Sequence, residues 1–494
     1  MRESRIKISF IAIAFCSFIF GCNPNIDKKT DSKKEKAING LAKNDSTLYS
    51  IKDAMKLHGL KGVSVAVFED YKILWTGSWG IKDIDSREPI DANTAFSAAS
   101  IAKPITATLF AILEEKGMIS LKDPVSKYLK RWKLPESEFL SDTELTFEHL
   151  LSHTAGTTQH GFDDFYVGDT IPTLVQSLKG QLPDYDEEIS FQWTPGTNWS
   201  YSGGGYVIAQ MAVEDSLGKS LADLADEYLF RPLALKNTTL KQPNETGFLT
   251  NVAMAHDENG KIVRTGLPIT PQVAPSGLWS TPSDLATFVI EIQNALRNKN
   301  NAVISYNAAK RVTDIVTSKV LGGWGLGWER RYGFGNYDWF SHGGANTGIG
   351  GYVYGTMKDG NGIVFLGNGA NTNRIPVLDQ FRNSIIKTYE WYIPIDKSLE
   401  KPITEELIKM ITGEYIHTLF GEVIEVINNN KGLFIKDFIG NGTNELIFIG
   451  DSTFLIDGSP SKMKFIKNKT DGSLYIFLIR NNTNEEREAY KKQF

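Results

Sequence analysis

Ser100-Ile101-Ala102-Lys103-Pro104, followed by the helix-favouring stretch Ala107 to Glu115, decides how the rest of this chain is read. Pro104 has no amide proton and is tolerated in the first turn of a helix, where such protons lack partners anyway. Ser100 therefore falls at or near a helix N-terminus, with Lys103 one turn along on the same face. A serine hydroxyl is a poor nucleophile until a neighbouring base takes its proton. A lysine amine can be that base where burial or positive neighbours lower its pKa. Helix-start dipoles favour developing negative charge nearby. The spacing alone is common: Ser216, Ser384, Ser398, Ser459 and Ser461 also stand three residues before a lysine. For an isolated occurrence, a serine cap followed by an exposed lysine is the default reading.

Upstream, Gly62 to Phe68 and Ile73 to Trp75 are β-rich runs around the polar turn Glu69 to Lys72, which predicts a hairpin. A helix is expected near Leu48–Leu57. Downstream, helical and loop stretches dominate to about Thr313, and strand-like runs return at Gly350–Met357 and Gly362–Gly367. A sheet built from both ends of a domain, with a helical insert between, is an α+β arrangement. Ser384–Tyr392 is expected to close it as a helix. Pro394 and Pro402 mark a linker over 394–405. Beyond it, Val423–Ile427, Leu433–Phe438, Leu446–Ile449, Lys464–Ile466 and Leu474–Ile479 are short β-rich runs separated by polar turns. Their spacing predicts a small all-β domain, a barrel being one form, over 406–494.

At 494 residues, 41% hydrophobic and 22% charged, the chain has material for two or three domains with a real core. A formal charge of −5 without a dense basic block argues against a nucleic-acid surface. Arg2, Arg5 and Lys7 precede the apolar run Ile8 to Phe20, which is short for a membrane span and reads as an export signal over 1–22. Its end, Ile19-Phe20-Gly21-Cys22, resembles the lipobox of bacterial lipoproteins. That resemblance implies a lipid on Cys22 and a membrane-anchored protein facing the periplasm or cell surface. Residues 23–46, rich in Lys, Asp, Asn and Ser, are expected to be a solvated tether. Cys16 and Cys22 are the only cysteines, so the body of the chain has no disulfide, Cys nucleophile or Cys metal ligand.

Two further stretches complete a pattern. Gly196 to Tyr206 reads Gly-Thr-Asn-Trp-Ser-Tyr-Ser-Gly-Gly-Gly-Tyr, and His342-Gly343-Gly344-Ala345-Asn346-Thr347-Gly348 leads into a strand-like run. With Ser100 and Lys103, the chain from about 48 to 390 resembles the family of class C β-lactamases, DD-carboxypeptidases and related esterases and aminopeptidases. Leu150 to Gly156, Phe230 to Leu233, Ser280 to Leu285 and Gly325 to Trp328 carry the same resemblance. It implies a β-lactamase/transpeptidase-like sheet flanked by helices over 47–393. It implies Ser100 as acylated nucleophile, Lys103 as an aid to its deprotonation, and Tyr201 as general base and then acid to the leaving group. The backbone amides of Ser100 and Ala345 would form the oxyanion hole beside Gly344, with His342 a positioning group and neither metal nor cofactor required. Each also has an ordinary reading: Tyr201 as a core tyrosine, His342 as a turn histidine, His153 as a loop brace and His160 as a surface residue.

Two departures bear on substrate. Gly203 stands where the family usually has Asn, and Gly343 where it usually has Thr or Ser beside a Lys that is here His342. Side chains at those positions commonly hold the acylamide and carboxylate of β-lactams and D-Ala-D-Ala ends. The sequence thus favours a small ester, amide or peptide substrate, with cell-wall D-amino-acid peptides among the candidates. A true β-lactamase or DD-carboxypeptidase is the alternative. From another class, a non-catalytic acyl-trapping sensor or wall-binding protein, or an adhesin using the C-terminal domain, also stands.

Overall fold

The computed structural model describes the chain except residues 1–23, 43–47, 184, 299–302, 320–321, 333–336, 392–394, 418–422, 437–442, 458, 480–485 and 494. The expected export signal and Cys22 lie outside the described residues. Among the described residues, no helix is long and apolar enough to cross a membrane.

The chain begins with α1 (Pro24–Ile38), the short strands β1 (Leu41–Ala42) and β2 (Leu48–Tyr49), and α2 (Ile51–His58). Ser50 and Asp53 form a reciprocal capping box at the start of α2, and Gly59, at φ 68°, closes its end. The hairpin β3 (Gly62–Glu69) and β4 (Lys72–Gly80) follows, then β5 (Phe96–Ala99) and α3 (Ala102–Glu115). The insert holds α4 (Phe147–Leu151), α5 (Leu174–Leu178), α6 (Gly203–Leu217), α7 (Leu221–Ala225) and α8 (Val273–Ser276). Next come β6 (Leu278–Ser280), paired with β5, then α9 (Pro282–Leu296) and α10 (Tyr306–Thr313). The chain returns through β7 (Thr317–Lys319), β8 (Gly322–Trp324), β9 (Glu329–Tyr332), β10 (Asp338–Asn346), β11 (Ile349–Thr356) and β12 (Gly362–Gly367). The closing helix α11 (Asn371–Tyr389) begins earlier than the sequence suggested, because it carries Pro376 within its second turn.

These strands form one eight-stranded sheet in the order β4-β3-β12-β11-β10-β9-β8-β7. The join between the two ends of the domain is β12 against β3, antiparallel, from Gly362 opposite Phe68 to Gly367 opposite Val63. Successive side chains on a strand point to opposite faces. Val63, Val65 and Val67 thus enter one core with Phe365, Phe381 and Trp75, while Ala66 and Phe68 enter the other with Phe96, Val364 and Leu366. Covering on both faces explains why β3 and β12 read as near-continuous apolar runs. The helix α3 lies inside the larger core: every residue from Ala102 to Leu113 is buried. A helix apolar all round is a core helix, and burying each side chain such as Leu109 or Phe110 contributes about 1.5–3 kcal/mol.

Of the stretch expected to be a tether, the described residues 24–42 are structured. Ala37 and Leu41 are buried, α1 lies along α11, and the Ser384 hydroxyl donates to the Ala37 carbonyl at 2.7 Å. Polar composition hid the few apolar residues, Ala37, Ile38 and Leu41, by which this segment docks.

After α12 (Glu405–Ile411), a closed antiparallel barrel is formed by β13 (Gly413–His417), β14 (Val423–Asn429), β15 (Gly432–Lys436), β16 (Thr443–Gly450), β17 (Thr453–Ile456), β18 (Ser459–Lys467), β19 (Leu474–Ile479) and β20 (Glu486–Lys492). Alternate residues, among them Val426, Ile435, Phe454, Met463 and Ile476, fill its interior. The sequence did not reveal β13, β17 or β20. The hairpin before β17 turns at Asp451 and Ser452, both at positive φ, without the glycine that usually marks such a turn.

Candidate active site

Strand β5 ends at Ala99, whose φ of 46° turns the chain sharply into α3. Left-handed backbone is unfavourable for alanine by roughly 1–2 kcal/mol, so the surrounding core must hold this corner. Ser100 sits on it and is half-buried, while the six residues before it are buried. Lys103, the second residue of α3, is almost wholly buried. Its Nζ lies 3.1 Å from Ser100 Oγ and donates to the Pro275 carbonyl at 2.8 Å. Thr106 Oγ1 donates to the Ala274 carbonyl at 3.0 Å, so α3 and α8 are tied on both sides of the amine. Burial holds the lysine well below its ordinary pKa of 10.5. A neutral amine with one N–H spent on Pro275 has a lone pair for the serine proton.

Tyr201 comes from the loop just before α6. Ser202 caps that helix, its Oγ accepting the Gly205 amide at 3.1 Å and donating to the Gln159 carbonyl at 2.7 Å. Gly204 is obligatory there, since a Cβ would fall 2.8 Å from Gln159 Cβ and 2.7 Å from Ile189 Cδ1. The Tyr201 ring lies against the lysine, with Nζ 4.6 Å from its centroid. Burial raises its pKa above the ordinary 10, partly offset by a side-chain hydrogen bond with Ser100. The group is therefore a phenol across the working pH range.

Strand β10 supplies the remaining residues. Its pleat turns His342 and Gly344 toward α3 and Gly343 to the opposite face, beside Tyr352 of β11. A Cβ on Gly344 would lie 1.9 Å from the Ala98 carbonyl oxygen and 3.0 Å from the Ser100 nitrogen. Only glycine permits this approach, which brings the Ser100 amide beside the residue preceding Ala345. His342 is buried, and its Nδ1–H donates to the Gly343 carbonyl at 2.6 Å. Its Nε2 has no hydrogen-bond partner among the described residues. Burial lowers its pKa to about 3, and a proton on Lys103 would lower it further, so it is neutral.

The structure thus brings Ser100, Lys103, Tyr201, His342, Gly344 and the end of β10 at Ala345 together. Sequence reasoning missed Trp324 of β8, whose ring packs 5.8 Å from Tyr201, 5.5 Å from His342 and 5.4 Å from Trp199. A single tryptophan between glycines offers no signal separable from a core residue. Also missed was Asn346, which accepts from Ser97 Oγ at 3.0 Å and donates to Asp164. His153 was expected to brace a loop, and the loop it contacts is the one bearing Tyr201. His160 is exposed as expected and also donates from Nδ1 to the Tyr201 carbonyl at 2.6 Å.

Both departures from the family pattern lie at crowded positions. A Cβ at Gly203 would meet the His160 carbonyl at 3.0 Å and Phe162 Cε2 at 3.4 Å. A Cβ at Gly343 would meet Tyr352 Cε1 at 2.5 Å. A side chain at Gly343 requires the Tyr352 ring to shift, and one at Gly203 requires its neighbours to give slightly.

The model of the family described as Beta-lactamase matches residues 50–383. The chain belongs to the β-lactamase family of serine hydrolases. It is 31% identical to penicillin-binding protein 4* of Bacillus subtilis over 182 residues, which is 37% of this chain and 38% of that one. It is 26% identical to a β-lactamase of Pseudomonas fluorescens over 288 residues, covering 58% of this chain and 73% of that one. The octameric penicillin-binding protein homologue from Pyrococcus abyssi superposes with a TM-score of 0.58 at 19% identity, over 90% of this chain and 98% of that one. At that identity the likeness is one of fold.

Proposed function

We propose that this protein is an exported serine hydrolase that forms an acyl-enzyme on Ser100 with small ester, amide or peptide substrates. The observation that carries this reading is the buried Lys103 amine 3.1 Å from Ser100 Oγ. In the first step the neutral amine accepts the serine proton as Oγ bonds the substrate carbonyl carbon. The amides of Ser100 and Ala345 receive the oxyanion, and such donors are worth roughly 3 kcal/mol each in other acyl-transfer sites. The proton then passes through the Tyr201 phenol to the leaving group as the ester or amide bond breaks. Water attacks the acyl-enzyme by the reverse route, releasing the acid and restoring Ser100. Lys103 is assigned the first proton because the Tyr201 phenolate is disfavoured by burial.

His342 carries no charge to hold a substrate carboxylate, and Gly343 faces away from the site beside Tyr352. Purified protein is expected to hydrolyse simple esters with higher kcat/KM than a chromogenic cephalosporin. Mass spectrometry of the quenched reaction should show one acyl adduct, on Ser100. A panel of esters, D-aminoacyl amides, stem peptides and the cephalosporin tests this, and a cephalosporin turned over faster than every ester overturns it. Gly343→Thr should lower both ester and cephalosporin rates, since the new Cβ displaces Tyr352. A selective gain for the cephalosporin would show that Tyr352 yields.

Of Lys103, Tyr201 and His342, the lysine is the group assigned the serine proton, and burial lowers its pKa. Its protonated form cannot accept the serine proton, so kcat/KM should rise with pH along one acid limb, centred well below 10.5. The His342→Asn variant should keep that limb in place. A limb that disappears in this variant would assign the proton to His342.

Export and lipid anchoring rest on the basic start, the apolar run and Gly21-Cys22. Cys22→Ser should release the protein from the membrane fraction or block its processing. Unchanged membrane association, with no lipid mass on the mature N-terminus, would favour an uncleaved helix.

A further inference from the structure

Ser100 and Lys103 are carried by a strand end and a core helix, but Tyr201 is carried by a loop, so something else must fix its ring. We infer that His153 is the positioning residue for Tyr201, gripping its loop on both sides and from one ring face; the inference rests on the catalytic role proposed for Tyr201.

Three contacts carry this. The His153 carbonyl accepts the Ser200 amide at 3.0 Å. Its Nδ1 accepts the Ser202 amide at 3.1 Å. Its ring lies 4.4 Å from the Tyr201 ring, centroid to centroid, at 33°. The residues immediately before and after Tyr201 are therefore held by one side chain and its own backbone. The geometry requires an unusual backbone: His153 follows α4 at φ 61°, a conformation costly for most residues. Such outliers persist where the surroundings over-determine them. The imidazole is fixed in turn by Trp324 and Tyr206, each 5.3 Å away. Because Nδ1 accepts an amide proton, the neutral ring carries its own proton on Nε2. His160 completes the hold from the far side by donating to the Tyr201 carbonyl at 2.6 Å. Ser202 is also the cap of α6, so the grip passes from α4 through the tyrosine to a long helix.

A phenol that must pass a proton to a leaving group is sensitive to placement, and a misplacement of about 1 Å can lower a rate ~10²-fold. The effect should depend on the leaving group. A p-nitrophenolate departs without protonation, whereas an alkoxide or amine does not. His153→Ala is expected to cut kcat for alkyl esters by roughly 10–100-fold, with p-nitrophenyl esters losing far less and KM changing little. His153→Asn should recover part of the loss, since its side-chain oxygen can accept the Ser202 amide and asparagine tolerates positive φ. In a Tyr201→Phe background, His153→Ala should add little, because residues acting through one group are not additive.

The experiment is a leaving-group series on the purified wild type, His153→Ala, His153→Asn, Tyr201→Phe and the double variant, with melting temperatures alongside. Equal losses across all leaving groups in both folded His153 variants would overturn the inference, as would additive losses in the double variant. A leaving-group dependence altered in Tyr201→Phe but not in either His153 variant sinks the role of His153 alone. If it is unaltered in Tyr201→Phe as well, the assignment of Tyr201 itself falls.

Discussion

Ser100→Ala is expected to abolish labelling by a fluorophosphonate probe and to reduce hydrolysis to the assay floor, a loss on the order of 10⁶-fold by analogy with other serine nucleophiles. The expectation follows from where the hydroxyl sits. Ser100 stands at the corner between β5 and α3, half-buried where its neighbours are buried, with the Lys103 amine at 3.1 Å. A single hydroxyl contributes only about 0.5–1.5 kcal/mol through its hydrogen bonds, and Lys103 keeps its bond to the Pro275 carbonyl. Thermal stability should therefore change little. Labelling is read on a gel and by peptide mapping. Persistent labelling of the alanine variant, mapped to another serine, would remove Ser100 from the mechanism.

Tyr201→Phe removes one oxygen and keeps the ring that packs against His153, Trp324 and the lysine. Folding should survive, while kcat falls by ~10²–10⁴, the range of general acid–base groups. The loss should be steepest for amides, whose amine must be protonated to leave. Steady-state rates on one ester and one amide of the same acyl group check this. A variant near the wild-type rate on both would leave proton transfer to Lys103 alone.

The candidate roles of Ser100, Lys103 and Tyr201 came from the order of widely spaced motifs that resemble a known family, with Pro104 placing the serine at a helix start. The hairpin β3–β4 and β12 were legible from their apolar runs. The role of α1 was not legible, since three apolar residues in a polar stretch mean burial only once α11 lies beside them. Nor was the contribution of Trp324, Asn346 and His153 to the site, because each acts through neighbours far away in sequence.

By itself the sequence pointed to the candidate reacting groups and determined the α+β class and a C-terminal β region, from residue type and recurrent pattern. Tertiary structure alone decided that burial lowers the Lys103 pKa, that His342 is uncharged, and that Tyr352 and the His160 segment crowd Gly343 and Gly203. The physical reason is that a pKa and a steric vacancy depend on what surrounds a group, and here the surroundings come from segments up to several hundred residues away.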